Sequence, residues 1–171
     1  PMWHQMLANC SQESLWLRFQ YVFKETTHQM ATQFCFTDYD RELAIVAETG
    51  FASEQGGNGL QPKQSKQRQL VGMGQLVADA DHTNAEYAIL ITDDYQGLGL
   101  GSLLTNYCLE ICAGWGIRKV VASVAPNNRR MLSVFQNRGF ELEHDRGAGV
   151  VVARKELPLH RKEPPGETEI S

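Results

Sequence analysis

The chain predicts an α/β (α+β) domain, a sheet of about six strands flanked by helices. Three observations carry that expectation. Residues 86–91 form a short apolar, β-prone run, and a glycine-rich stretch over 93–102 follows it directly. Beyond the glycines, Leu103, Leu104, Tyr107, Cys108, Ile111, Cys112 and Trp115 recur at three- and four-residue steps, the pattern of one buried helix face. Residues 119–124 are a nearly continuous apolar strand, expected to be covered on both faces.

The elements follow in order. Pro1 ahead of Met2 is expected of an excised or processed domain. Met2, Trp3, Met6, Leu7 and Cys10 predict a first short helix, residues 14–23 a second, and residues 26–34 a third capped by Thr26 or Thr27. A strand over 43–47 is entered through Asp38, Tyr39, Asp40, Arg41 and Glu42, either a solvated turn or an acidic lining that attracts an ammonium group. Residues 50–68, rich in Gly, Gln and Ser, read as a long mobile hairpin loop. The return strand over 70–77 carries Gly72 and Gly74, marks of a bulge or a crowded packing site. Pro126-Asn127-Asn128 starts a helix through Met131, Leu132 and Phe135 to Arg138, stopped by Gly139. Residues 140–143 and 150–153 close a last hairpin across Asp145-Arg146-Gly147, and a Pro-Pro-Gly-bearing tail over 157–171 is expected to be disordered.

At 171 residues, with 42% apolar and 21% charged content, the chain fits one globular domain. Its formal net charge of −4 argues against non-specific binding of nucleic acid or anionic membrane. No apolar run approaches the roughly 18 residues that span a bilayer, and no signal-peptide pattern is present. Of four cysteines, Cys108 and Cys112 fall on the predicted buried helix face, and with Cys10 and Cys35 they form no C-x-x-C pair. No metal is expected, and a reduced, cytoplasmic protein is.

The chemistry centres on the glycine turn. Glycines let a backbone approach a ligand closely, and a helix start offers unpaired N–H groups and a positive dipole end, so the stretch predicts a phosphate or pyrophosphate site. No lysine is present for a Walker loop. The dinucleotide fingerprint also fails, because Ser102 stands where its third glycine belongs. What remains is Gln96-x-x-Gly99-x-Gly101.

That pattern resembles the acetyl-CoA signature of the GNAT acetyltransferases. Residues 34–154 follow the order of that fold, with its mixed central sheet. Ser11-Gln12-Glu13-Ser14 and Asp38-Tyr39-Asp40-Arg41-Glu42 resemble, more narrowly, the C-terminal acetyltransferase domain of Pat-type protein lysine acetyltransferases. The resemblance implies a GNAT domain over 1–156 whose first edge strand lies upstream in a longer parent chain bearing a CoA-ligase-like domain. It implies acetyl-CoA as cosubstrate, held by Gln96, Gly97, Leu98, Gly99, Leu100, Gly101, Ser102 and the backbone of Ile89, Leu90 and Ile91. Asn127 is expected to cap its helix, compatibly with contacting the pantetheine arm. Asp38, Tyr39 and Asp40 are candidate acceptor contacts. Many GNAT enzymes place a proton-donating tyrosine four residues before the last Gly-Phe; this chain has Phe135 there.

Transfer to a lysine needs its neutral amine. At pH 7.4, deprotonating a side chain of pKa about 10.4 costs on the order of 4 kcal/mol. A carboxylate base meets that need. Glu86 is the candidate, expected on a strand face with Ala88 and Leu90, where burial would raise its pKa. Backbone amides in 89–91 are the candidate oxyanion donors. The expected activity is acetyl transfer to a protein lysine, an acyl-CoA synthetase being the acceptor the resemblance implies. The alternatives are a small-molecule amine acetyltransferase and a non-catalytic acetyl-CoA-sensing module.

Overall fold

The structure is a computed structural model that describes residues 2–19, 40–50 and 68–158. Helices α1 (Met2–Ala8) and α2 (Gln12–Phe19) precede strands β1 (Glu42–Thr49), β2 (Gln69–Ala78) and β3 (Asn84–Ile91). A 3₁₀ turn at Asp93–Tyr95 leads into α3 (Leu100–Trp115), followed by β4 (Lys119–Val124), α4 (Arg129–Gln136), β5 (Glu141–Asp145) and β6 (Val150–Glu156). The six strands make one mixed sheet in the order β1-β2-β3-β4-β6-β5. Every neighbouring pair is antiparallel except β3 and β4. Among the described residues the expected strand number, order of elements and fold class hold.

Two helical layers cover the sheet because the strands carry apolar side chains on both faces. Trp3, Met6 and Leu7 of α1 and Leu15 of α2 pack on Met73 and Leu90. Met6 and Leu7 are fully buried, and each such burial stabilises by roughly 1.5–3 kcal/mol. On the opposite face Cys108 and Cys112 of α3 and Phe135 of α4 close over Leu76, Tyr87, Val120 and Ala153.

The glycines of β2 mark the expected crowding. A Cβ at Gly74 would lie 3.0 Å from the Cys108 sulfur, and one at Gly72 3.2 Å from Leu104 Cδ1, so α3 sits directly on this strand. The β1 ladder steps from Gly72 to Leu70 and leaves Val71 as the extra residue of a bulge.

Four expectations are corrected. The buried stripe of α3 is Leu104, Thr105, Cys108 and Cys112, whereas Leu103 and Tyr107 are 65% and 54% exposed. Apolar spacing alone could not tell these two adjoining stripes apart. Strand β4 is buried through Val120, Ala122 and Val124 only; Val121 and Ser123 on its other face line a cavity, not a core. The second helix starts earlier than residue 14, because the Ser11 hydroxyl accepts from Ser14 N–H (3.2 Å) as its cap. Leu157, assigned to a disordered tail, packs against the core and donates its N–H to Arg118 O (2.7 Å).

The expected helix over 26–34, Asp38, Tyr39, the loop over 51–67 and the tail from 159 lie outside the described residues. No helix among those described is long and apolar enough to cross a membrane.

Candidate active site

The site begins as a defect in the sheet. Strands β3 and β4 pair only at Asn84–Lys119, Ala85–Val120 and Glu86–Val121. Past Glu86, β3 continues along β2 to Ile91 while β4 continues along β6 to Val124, so a gap opens between them. Thr92 N–H donates to Val71 O (3.0 Å), which fixes the alternation along β3. Leu90 therefore bonds toward β2, and Ile89 and Ile91 turn their N–H and C=O groups into the gap. Gln96 Nε2 already donates to Ile91 O there (3.0 Å).

The glycine turn closes one end of the gap. Gly97 (φ 75°) and Gly99 (φ 88°) are left-handed, so glycine is required for their backbone rather than for space. The first bond of α3 runs from Leu103 N–H to Gly99 O (3.0 Å). The amides of Leu100, Gly101 and Ser102 ahead of it have no helical partner. Gly97, Gly99, Gly101 and Ser102 line a cavity of about 650 Å³, together with Ile89 to Ile91 and residues of α2 and α4. Leu98 points outward, 72% exposed.

Helix α2 pins this turn in place. Ser14 Oγ donates to Asp93 Oδ1 (2.7 Å) and accepts from Gln96 Nε2 (2.9 Å), while Ser11 N–H donates to Asp93 Oδ2 (3.2 Å). Partial burial pushes the Asp93 carboxyl up, but the hydrogen bonds from Ser14 and Ser11 and the Arg130 charge outweigh it and hold it below its ordinary value. Arg130 of α4 donates to Gln96 Oε1 (3.2 Å), so three elements converge on one glutamine.

The sequence expectation misplaced one residue by a single position. The side chain that caps α4 is Asn128, whose Oδ1 accepts from Met131 N–H (3.1 Å); Asn127 is exposed and lies outside the cavity lining. A tandem asparagine leaves the choice open until backbone geometry decides it. The sequence reading also passed over Ser14, Arg18, Arg129 and Arg130. For the last two a signal existed. Cations at a helix N-terminus oppose the dipole, so an arginine pair there stands where the helix itself does not favour it.

A second cavity of about 380 Å³ lies on the α2 side of the gap, lined by Glu86, Ala88, Gln75, Val121, Ser123 and others. Glu86 shares the expected face with Ala88 and Leu90, but only Leu90 is buried there, and Glu86 is exposed at the cavity. Helices α1 and α2 pack over the Leu90 end of the strand. The burial expected of Glu86 is absent. Asp40 is exposed at the turn into β1, and it lines neither cavity.

Phe135, at the position where the resemblance expects a tyrosine, is buried edge-on against Tyr87. The Tyr87 hydroxyl is engaged with Thr105 Oγ1 (3.2 Å) inside the core, and burial pushes its phenol up. Burial likewise raises the thiols of Cys10, Cys108 and Cys112 to about 12, 11 and 12, the wrong direction for nucleophiles. Among the described residues no group of three or more His, Cys, Asp or Glu is arranged to hold a metal ion.

The sheet is thus split between two parallel strands, with a glycine turn and a helix start lining the gap. The model of the Acetyltransferase (GNAT) family matches residues 12–140, and the chain belongs to that family. It is similar to acetyltransferase PA5475 of Pseudomonas aeruginosa, 26% identical over 141 residues, which is 82% of this chain and 69% of that protein. Its fold is similar to that of the GNAT domain of S. lividans PAT (TM-score 0.73, 21% identity, 91% of this chain and 84% of that one). It is also similar to a Sinorhizobium meliloti phosphinothricin acetyltransferase in complex with AcCoA (TM-score 0.64, 17% identity, 96% and 86%).

Proposed function

We propose that the protein transfers an acetyl group from acetyl-CoA to a protein lysine ε-amine by direct attack. The observation that carries this is the pair of cavities meeting in the β3–β4 gap, one ending in the glycine turn and the other at Glu86. Membership of the GNAT family supports acetyl-CoA as cosubstrate. The amides of Leu100, Gly101 and Ser102, with Arg129 and Arg130 beside them, suit its pyrophosphate. Ile89 and Ile91 offer backbone groups to the pantetheine arm, and one of their amides supplies the donor for the thioester oxygen as it gains charge.

Glu86 takes the proton of the incoming ammonium, directly or through one water. Its exposure suits an acceptor that is itself a protein surface, since a lysine side chain reaches it without the partner entering the cavity. Likeness to the GNAT domain of S. lividans PAT supports the same acceptor class.

The test incubates the chain with acetyl-CoA and an acyl-CoA synthetase, beside a panel of small amines, and maps acetyl-lysine by peptide mass spectrometry. Site-selective ε-acetylation of the protein is expected. Acetylation of small amines alone overturns the lysine reading in favour of a small-molecule acetyltransferase, and bound acetyl-CoA with no product in any arm favours a sensing module.

A further inference from the structure

Acetyl transfer must occur where the two cavities meet, because the reacting carbon joins the pantetheine sulfur on one side to the acceptor nitrogen on the other. Five residues line both cavities: Leu17, Arg18, Ile89, Asn128 and Met131. Three are apolar. Asn128 uses its side-chain oxygen to cap α4. Arg18 is the one charged residue common to both cavities among the described residues.

The chemistry at that point creates an anion. As the neutral amine forms its C–N bond, the C–S bond breaks and its electron pair stays on sulfur. The second proton of the amine leaves through Glu86 to solvent. A thiolate appearing among Leu17, Ile89 and Met131 is disfavoured by desolvation unless a donor or a cation faces it. Phe135 carries no proton to give, and the Tyr87 hydroxyl is engaged with Thr105 in the core.

We infer that Arg18 is the group that stabilises the departing CoA thiolate, by charge rather than by proton transfer. The inference rests on the acetyl-CoA reading of the site. The arginine is already positioned for it. Its NH2 donates to Gln75 Oε1 across the cavity (3.0 Å), and its guanidinium carbon lies 4.8 Å from the centre of the Phe19 ring. A guanidinium is charged at every working pH. Among the described residues, the other charges lining the cavities lie on one side or the other: Glu86 of β3 lines the acceptor cavity alone, and Arg129 and Arg130 of α4 line the cosubstrate cavity alone. Asp93 is occupied by Ser11 and Ser14, and β4 offers only Val121, Ala122, Ser123 and Val124.

The test needs no acceptor. Acetyl-CoA binding is measured by calorimetry, and the thiol of bound CoA is titrated by the ultraviolet absorbance of its thiolate. This is done in wild type, Arg18→Gln and Arg18→Lys. The bound thiol is expected to ionise about one to three pH units below that of free CoA in wild type. Arg18→Gln loses most of that shift while still binding acetyl-CoA, and Arg18→Lys retains part of it. The arginines of α4 are present in all three proteins, so the difference reports Arg18. An unshifted thiol in wild type overturns the inference whether or not the glutamine variant folds, and so does an equal shift in wild type and Arg18→Gln. Wild-type protein that binds no acetyl-CoA overturns the site reading itself, and this inference with it.

Discussion

Ser14 does the most with the least. One hydroxyl donates to Asp93 and accepts from Gln96, joining α2 to the glycine turn. Part of that contact is electrostatic and so depends on pH. The Asp93 carboxyl is held below its ordinary value of 3.8 in the folded protein. Its contribution is therefore present above that value and is lost as pH falls through the lower folded one. Ser14→Ala is expected to destabilise by about 1 kcal/mol at pH 7, with a smaller difference from wild type at pH 3, read from urea unfolding at each pH. An equal difference at both values would remove the charge from the account. Neither partner was visible in the sequence beyond the run Ser11-Gln12-Glu13-Ser14, because the contact joins positions about eighty residues apart.

Elements were legible where local chemistry dominates. The glycine turn, the helix after it and the strand before it were each readable from residues 86–115, and the structure keeps that order. What failed was the choice between neighbours that satisfy the same rule. Leu103 and Leu104 both fit a helical stripe, and only the line of contact with Gly72 and Gly74 selects Leu104. Val121 reads as core until its face of β4 is seen to line a cavity. Asn127 and Asn128 both fit a cap. Here the structure makes a direct prediction: Asn128→Ala loses about 1 kcal/mol of stability and Asn127→Ala stays within about 0.5 kcal/mol of wild type. Thermal unfolding of the two variants checks it, and the reverse order would restore the sequence-based assignment.

At the scale of the whole molecule, the proposed function rests on the parting of two strands in the sheet. Parallel β3 and β4 part after Glu86, and the gap holds β3 backbone that β4 does not pair, a glycine turn at its end and a carboxylate at its start. The sequence indicated the turn and the carboxylate as separate features, and no local pattern could indicate that they face one opening. It also indicated a buried carboxylate, whereas Glu86 is exposed. An exposed base suits a bulky acceptor better than a buried one does.

The most direct test follows free CoA thiol released from acetyl-CoA with an acyl-CoA synthetase as acceptor, comparing wild type with Glu86→Gln. The account predicts acceptor-dependent release that falls at least about tenfold in the variant, with acetyl-CoA affinity preserved. Equal rates in the two proteins would contradict the role of Glu86 and the mechanism built on it.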